Sequence, residues 1–183
     1  MIVILGKTCS GKDTIVSKLV KKYNYKRIIS YTTRSKRKKE IQDVTYHFIS
    51  EDEFKEKIES GFFLEHKEYH SAQGTWYYGS AKEDYEKSNE KSVIILTPDG
   101  YRDFLREYSY INHTSIYLYS NNKTLEKRLV KRGDDPKEAK RRLDSDNKDF
   151  KDVQRFVHKI VYNNENSSID EVINKILEYV NER

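Results

Sequence analysis

Four consecutive apolar residues, Ile2-Val3-Ile4-Leu5, run straight into Gly6-Lys7-Thr8-Cys9-Ser10-Gly11-Lys12-Asp13-Thr14, and apolar periodicity resumes at Ile15, Leu19 and Val20. That order predicts a buried strand, a tight loop and a helix. Two glycines flanking a four-residue insert, followed by lysine, let the loop curl its backbone N–H groups around a phosphate. The helix adds the positive end of its dipole at the same place, and Lys12 reaches the outer phosphates. The stretch therefore reads as a nucleotide phosphate cradle, with Gly6, Thr8, Ser10, Gly11, Lys12, Asp13 and Thr14 around the phosphates.

The residue after Lys12 is Asp13, where a phosphate loop ordinarily carries a Ser or Thr hydroxyl for magnesium. Thr14 brings a hydroxyl one residue later, about 100° further round the helix. Asp13 is itself able to hold Mg2+, directly or through water, and is the candidate metal ligand.

With 183 residues the chain suits one domain carrying small inserts. No apolar run approaches membrane-spanning length, and a strand beginning at the second residue leaves no room for a leader, so a cytoplasmic protein without a membrane partner is expected. The single cysteine, Cys9, excludes an internal disulfide and offers no metal cluster. Beside Lys12 and a helix N-terminus its thiol is open to activation, or it is a packed, inert side chain. The net charge of +5 fits an anionic ligand as well as an ordinary Lys/Glu surface. The basic run Lys36-Arg37-Lys38-Lys39 lacks stacking aromatics or a helix-turn-helix signal and reads as a loop rather than a nucleic-acid site.

Along the chain, Arg27 to Tyr31 predicts a second strand and Tyr46 to Ile49 another. Ser50 with Glu53 opens a helix to Gly61; Phe62 to Tyr69 is a strand; Ser80 with Glu83 opens a helix to about Asn89. Ser92 to Leu96 is a short buried strand, followed by the turn signal Thr97-Pro98-Asp99-Gly100 and a helix around Phe104. A strand at Ser115 to Leu118, helices over Leu125 to Arg132 and Lys137 to Phe150, a last strand at Lys159 to Tyr162 and a helix capped by Ser168 and Glu171 complete the pattern. Alternating strands and helices imply an α/β fold, a parallel sheet with helices on both faces and ligand at the carboxyl ends of its strands. Residues 32–80 and 120–150, polar and charge-dense, interrupt the core segments 1–31, 81–119 and 151–183, as a substrate-binding insert and a lid would.

The loop, together with Ser30-Tyr31-Thr32-Thr33-Arg34-Ser35-Lys36-Arg37, Glu40, Tyr46-His47-Phe48, Gly61-Phe62-Phe63-Leu64-Glu65 and Tyr77-Tyr78-Gly79-Ser80, resembles the guanylate kinase family. The likeness continues through Arg128-Leu129, Arg132-Gly133 and Arg142-Leu143 to Tyr162-Asn163. It implies a P-loop three-layer fold with an inserted NMP-binding subdomain and a helical lid. It implies transfer of a phosphoryl group from ATP, with Mg2+, to GMP or dGMP. By the same resemblance Arg34, Arg37, Tyr46 and Tyr78 grip the acceptor's 5′-phosphate, and Ser30, Glu65, Ser80 and Thr97 face the base. Arg128, Arg132 and Arg142 match the arginines of the lid; the resemblance makes Lys12, Arg34, Arg132 and Arg142 catalytic and puts ATP on Arg128 and the loop residues Gly6, Thr8, Ser10, Gly11, Lys12, Asp13 and Thr14.

Two departures accompany the resemblance. Ile95 and Thr97 stand where the family has two aspartates, one near the magnesium and one near the base, so Asp13 is a candidate replacement near the ion. An insertion at Ser71 to Gly74 separates Glu65 from Tyr78. Alternatives are a ribose 1,5-bisphosphate phosphokinase-like enzyme, which has little use for Glu65, and a non-catalytic binding module, which would not need an intact Gly6, Gly11 and Lys12. A signalling GTPase would want guanine and switch motifs that the chain does not carry.

Overall fold

The computed structural model describes residues 1–37, 40–71 and 74–182. Lys38 and Lys39 of the basic run and Ala72 and Gln73 of the insertion lie outside the described residues. In chain order the elements are β1 (Ile2–Leu5), α1 (Lys12–Tyr23), β2 (Lys26–Arg27), β3 (Tyr31–Thr32), β4 (His47–Phe48) and α2 (Glu51–Glu59). There follow β5 (Phe63–Ser71), β6 (Gly74–Ala81), α3 (Lys82–Glu86), β7 (Ser92–Ile95), α4 (Pro98–Tyr108) and β8 (Thr114–Tyr119). The chain ends with α5 (Asn122–Arg132), α6 (Pro136–Asp149), β9 (Lys159–Tyr162) and α7 (Ile169–Asn181). Two compact units result: Met1–Arg27 with Glu90–Asp99 and Asn112–Arg183, and Ile28–Asn89 with Gly100–Ile111.

The first unit is built on a parallel sheet of order β2-β7-β1-β8-β9. β1 lies at its centre and all four of its residues are buried, which is why it reads as an unbroken apolar run. Ile15, Val16 and Leu19 of α1 and Val172, Ile173 and Ile176 of α7 pack with Ile2, Ile4, Ile116 and Leu118 in one core. α7 begins with the expected capping box: the Ser168 hydroxyl accepts the Glu171 N–H at 3.1 Å, and the Glu171 carboxylate accepts the Ser168 N–H at 3.2 Å. Leu125, Leu129 and Leu143 form a satellite cluster joining α5 to α6, with Cys9 packed against it.

The second unit carries a four-stranded sheet of order β4-β3-β6-β5, in which β5 and β6 form a long antiparallel hairpin. The last described pair of the hairpin is Ser71 with Gly74. Phe54 stacks on Phe63 at 4.4 Å beneath it.

Four local expectations are corrected. The strand predicted over Arg27 to Tyr31 divides into β2 and β3, because the first pairs with β7 and the second with β6, in separate sheets. Ser80 does not cap a helix; it lies in β6, its hydroxyl is 3.1 Å from that of Ser30, and α3 starts after Ala81 without a side-chain cap. α3 is also shorter than predicted, ending at Glu86. Pro98-Asp99-Gly100 forms the first turn of α4 rather than a turn before it, since proline lacks only an N–H that the first helical turn does not need.

Candidate functional site

In the first unit the backbone between β1 and α1 folds as a phosphate loop. Gly11 has φ of 99°, in the left-handed region, and a β-carbon there would stand 2.6 Å from the Asn163 amide nitrogen. A β-carbon on Gly6 would stand 2.5 Å from the Ser10 hydroxyl and 2.9 Å from the Leu118 carbonyl oxygen. Both glycines are therefore required by close approach. Ser10 is fully buried and its hydroxyl has no hydrogen-bond partner among the described residues.

Lys12 donates from Nζ to the carbonyls of Gly6 at 2.6 Å and Lys7 at 2.8 Å. Burial pushes its ammonium below the ordinary lysine range, and the nearby Asp146 carboxylate opposes that shift. Gly11, Lys12, Asp13, Thr14, Arg128 and Arg132 line one cavity of about 480 Å³, so the structure brings the loop and two of the three candidate lid arginines together. Asn163, Ser167 and Ile169, none of them a predicted site residue, line it as well.

The arginines are held in different ways. One terminal nitrogen of Arg128 donates to the carbonyls of Cys9 and Ser10 and to the Ser120 hydroxyl, each at 3.3 Å, pinning α5 to the loop. Arg132 makes a two-pronged pair with Asp134 at 2.6 and 2.5 Å. Arg142 reaches the same Asp134 at 3.4 Å and Glu138 at 2.8 Å. Hydrogen bonds from Arg141 and Arg142 hold the Glu138 carboxyl down at about 2.

Asp146 is the residue sequence reasoning missed. Its carboxylate, on α6, accepts the loop's Thr8 N–H at 2.5 Å, and Asn147 accepts from Lys7 at 2.5 Å. Burial raises the Asp146 carboxyl pKa, against the Thr8 hydrogen bond and the charge of Lys12. A helical face through the buried Leu143 carries residues 146, 147 and 150 at spacings of three, four and seven, so the placement was available as a pattern.

Asp13 lies at the start of α1, its side chain 63% exposed, and accepts from Arg27 at 3.1 Å. An exposed carboxylate in the cavity wall fits magnesium, which takes hard oxygen ligands and few of them from protein. Thr97 lies just past the carboxyl end of β7, in the first unit.

In the second unit Arg34 is the centre of an ordered cluster. It is only 4% exposed, and its guanidinium pairs with both Glu40 oxygens, at 3.0 and 2.7 Å, while Nε donates to the Tyr78 hydroxyl at 3.0 Å. Burial alone would weaken the charge; the Glu40 hydrogen bond and Tyr78 overcome it and hold Arg34 well above its ordinary pKa. The Arg37 N–H donates to Glu40 at 2.7 Å, and the Tyr46 ring lies 5.9 Å from that of Tyr78 and under the Arg34 guanidinium at 5.7 Å. Arg34, Arg37, Tyr46 and Tyr78 are thus one group, organised by Glu40.

A second cluster sits on the same sheet. The register between β5 and β6 shifts between Phe63 and Glu65, and this bulge sets Glu65 directly opposite Ser80. Ser80 in turn lies beside Ser30. Glu65 is 8% exposed, and burial pushes its carboxyl up to about 7, partly countered by Ser80.

A central parallel β1, a glycine-flanked loop and a buried lysine at the start of α1 define a P-loop nucleotide-binding protein. The guanylate kinase family model matches residues 1–183. Guanylate kinases from three organisms are similar in sequence: that of Wolinella succinogenes is 34% identical over 144 residues, covering 76% of this chain and 65% of its own. That of Helicobacter pylori is 32% identical over 88% of this chain and 78% of its own, and that of Clostridium perfringens 31% over 96% and 80%. A crystal structure of guanylate kinase from Anaplasma phagocytophilum shares the fold, with a TM-score of 0.70 at 19% identity, covering all of this chain and 85% of that one. The chain belongs to the guanylate kinase family.

Proposed function

We propose that this chain is an ATP-dependent nucleoside monophosphate kinase that transfers the γ-phosphoryl group of ATP to the 5′-phosphate of GMP or dGMP, giving ADP and the diphosphate. The observation that carries the choice of base is Glu65, a buried carboxyl set opposite Ser80 on a bulged hairpin. A carboxylate accepts both the N1–H and the amino group of guanine. Adenine has no such donor pair and would leave the charge buried and unpartnered.

Arg34, Arg37, Tyr46 and Tyr78 hold the acceptor phosphate, with Glu40 fixing the plane of the Arg34 fork. Gly6 to Thr14 and Lys12 hold the donor phosphates, with Arg128 bracing the loop from α5. The acceptor phosphate is already an anionic nucleophile, so the reaction asks for positioning and charge neutralisation rather than a general base. Arg132 and Arg142, on the 120–150 lid, neutralise the transferring group. Asp13 would hold Mg2+, which lowers the charge repulsion of the triphosphate. Such substrates are cytoplasmic, and so is the expected location.

The test is ADP release with magnesium-ATP and, separately, GMP, dGMP, AMP, IMP and ribose 1,5-bisphosphate. Turnover confined to the guanine nucleotides is expected. Turnover on ribose 1,5-bisphosphate alone would overturn the assignment, as would GMP binding without turnover, the behaviour of a binding module.

A further inference from the structure

Tyr85 is fully buried, and its hydroxyl oxygen has no hydrogen-bond partner among the described residues. The ring is fixed on two sides, 5.6 Å from Phe104 and 5.7 Å from Tyr108 at 27° to its plane. Phenylalanine would fill the same space without burying a polar oxygen, so the packing alone does not call for tyrosine. The groups that act on this hydroxyl most strongly are the Glu65 charge and the Ser80 hydroxyl, the latter a hydrogen-bonding neighbour outside the geometry of a formed bond, with Asp84 and Tyr108 after them. The orphan oxygen, on the helix that follows directly on β6, therefore lies within electrostatic reach of the Glu65–Ser80 pair that, in the function proposed above, reads the base.

We propose that Tyr85 is a positioning residue for base recognition, its hydroxyl donating to the Glu65 carboxylate when that carboxylate ionises to take the N1–H and amino group of guanine. The inference rests on the Glu65 reading. A carboxylate offers about four lone-pair sites, and guanine uses two of them. Ser80 and Tyr85 are the neutral donors at hand for the others, and a neutral donor satisfies the charge without competing for the base.

The protonation states are consistent with this order of events. Burial, with the charge of Glu65 next, holds the Tyr85 phenol well above its ordinary pKa, so it remains a donor throughout the working range. Glu65 lies opposite Ser80 of β6 and within electrostatic reach of Asp103 on α4 and Tyr85 on α3. Asp103 disfavours a second negative charge there, although its own carboxylate pairs with Arg106 at 3.1 Å. Tyr85 thus supports the ionised form that burial and Asp103 oppose.

The test is calorimetric binding of GMP, IMP and AMP to the wild type and to Tyr85→Phe between pH 6 and 8.5, with thermal melting of the free proteins. Phe keeps the ring, so the variant is expected to melt at or above the wild-type temperature. GMP and IMP are expected to bind about tenfold more weakly, the scale of one hydrogen bond to a charged group. The midpoint of their pH dependence is expected to move upward, with AMP binding unmoved. Unchanged GMP affinity and midpoint in Tyr85→Phe would overturn the inference, as would equal weakening of all three nucleotides. Failure of the Glu65 reading is seen separately, in a wild type that binds AMP as well as GMP or in a Glu65→Gln variant that binds GMP normally.

Discussion

At the scale of single residues, a buried carboxyl titrating near neutrality ties acceptor binding and stability to pH in opposite directions. Glu65, at about 7, stands above the ordinary 4.5, so between those values the folded chain binds more protons than the unfolded one. Its contribution to stability is therefore full at low pH and is lost as pH rises through about 7, by an amount on the order of 3 kcal/mol. Glu65→Gln is expected to melt higher than the wild type at pH 8, with the gap closing toward pH 5. In the proposed function GMP recognition runs the other way, since it uses the carboxylate, and the wild-type KM for GMP is expected to rise as pH falls below about 7. Asp13 carries a second prediction at this scale. Asp13→Ala is expected to raise the magnesium concentration for half-maximal activity several-fold, about 1 kcal/mol or more of lost ion binding, and an unchanged titration would remove Asp13 from the metal site. The types of these residues were legible in sequence. The protonation of Glu65 was not, because it depends on what the bulge at Phe63–Glu65 buries.

At the scale of elements, α6 decides how the phosphate loop is held. Its Asp146 puts an anion of the chain's own on the Thr8 N–H and beside Lys12, where a phosphate oxygen would be recognised. Asp146→Asn keeps an oxygen to accept the N–H and removes the charge. ATP is expected to bind about tenfold more tightly, roughly 1.4 kcal/mol, measured by calorimetry at fixed magnesium. Weaker binding would mean that the carboxylate serves the bound nucleotide instead. Caps were the most legible feature of the helices: Ser50 accepts the Glu53 N–H and Ser168 caps α7 as their spacing predicts. Ser80 shows the limit of that reading, because the same Ser-x-x-Glu spacing starts inside β6, where the hydroxyl meets Ser30.

At the scale of the whole chain, the first unit depends on apolar burial between its central sheet and the helices α1 and α7. Ile173 is fully buried in that core. Ile173→Ala is expected to cost about 2–5 kcal/mol, a large share of the roughly 5–15 kcal/mol available to a protein of this kind. A lower denaturation midpoint at unchanged denaturant slope would register it as lost packing rather than a changed unfolded state. Among the described residues no helix is long and apolar enough to cross a membrane, so these apolar stripes are accounted for by the core.

What the sequence determined by itself was whatever is local in physics: a glycine-flanked loop needs its backbone freedom, a cap needs its hydroxyl three residues from its N–H, and a central parallel strand must be apolar throughout. Lys12, Gly6 and Gly11 follow from such rules, and so does the alternation of strands and helices. The tertiary structure alone decided which polar groups lose water together. Asp146 meets Thr8 across 138 positions and Ser80 meets Ser30 across 50. The Tyr85 hydroxyl is buried within the electrostatic reach of Glu65 by the packing of α3 on α4. Charge, protonation and hydrogen-bond demand at those sites are set by distances that no local spacing encodes.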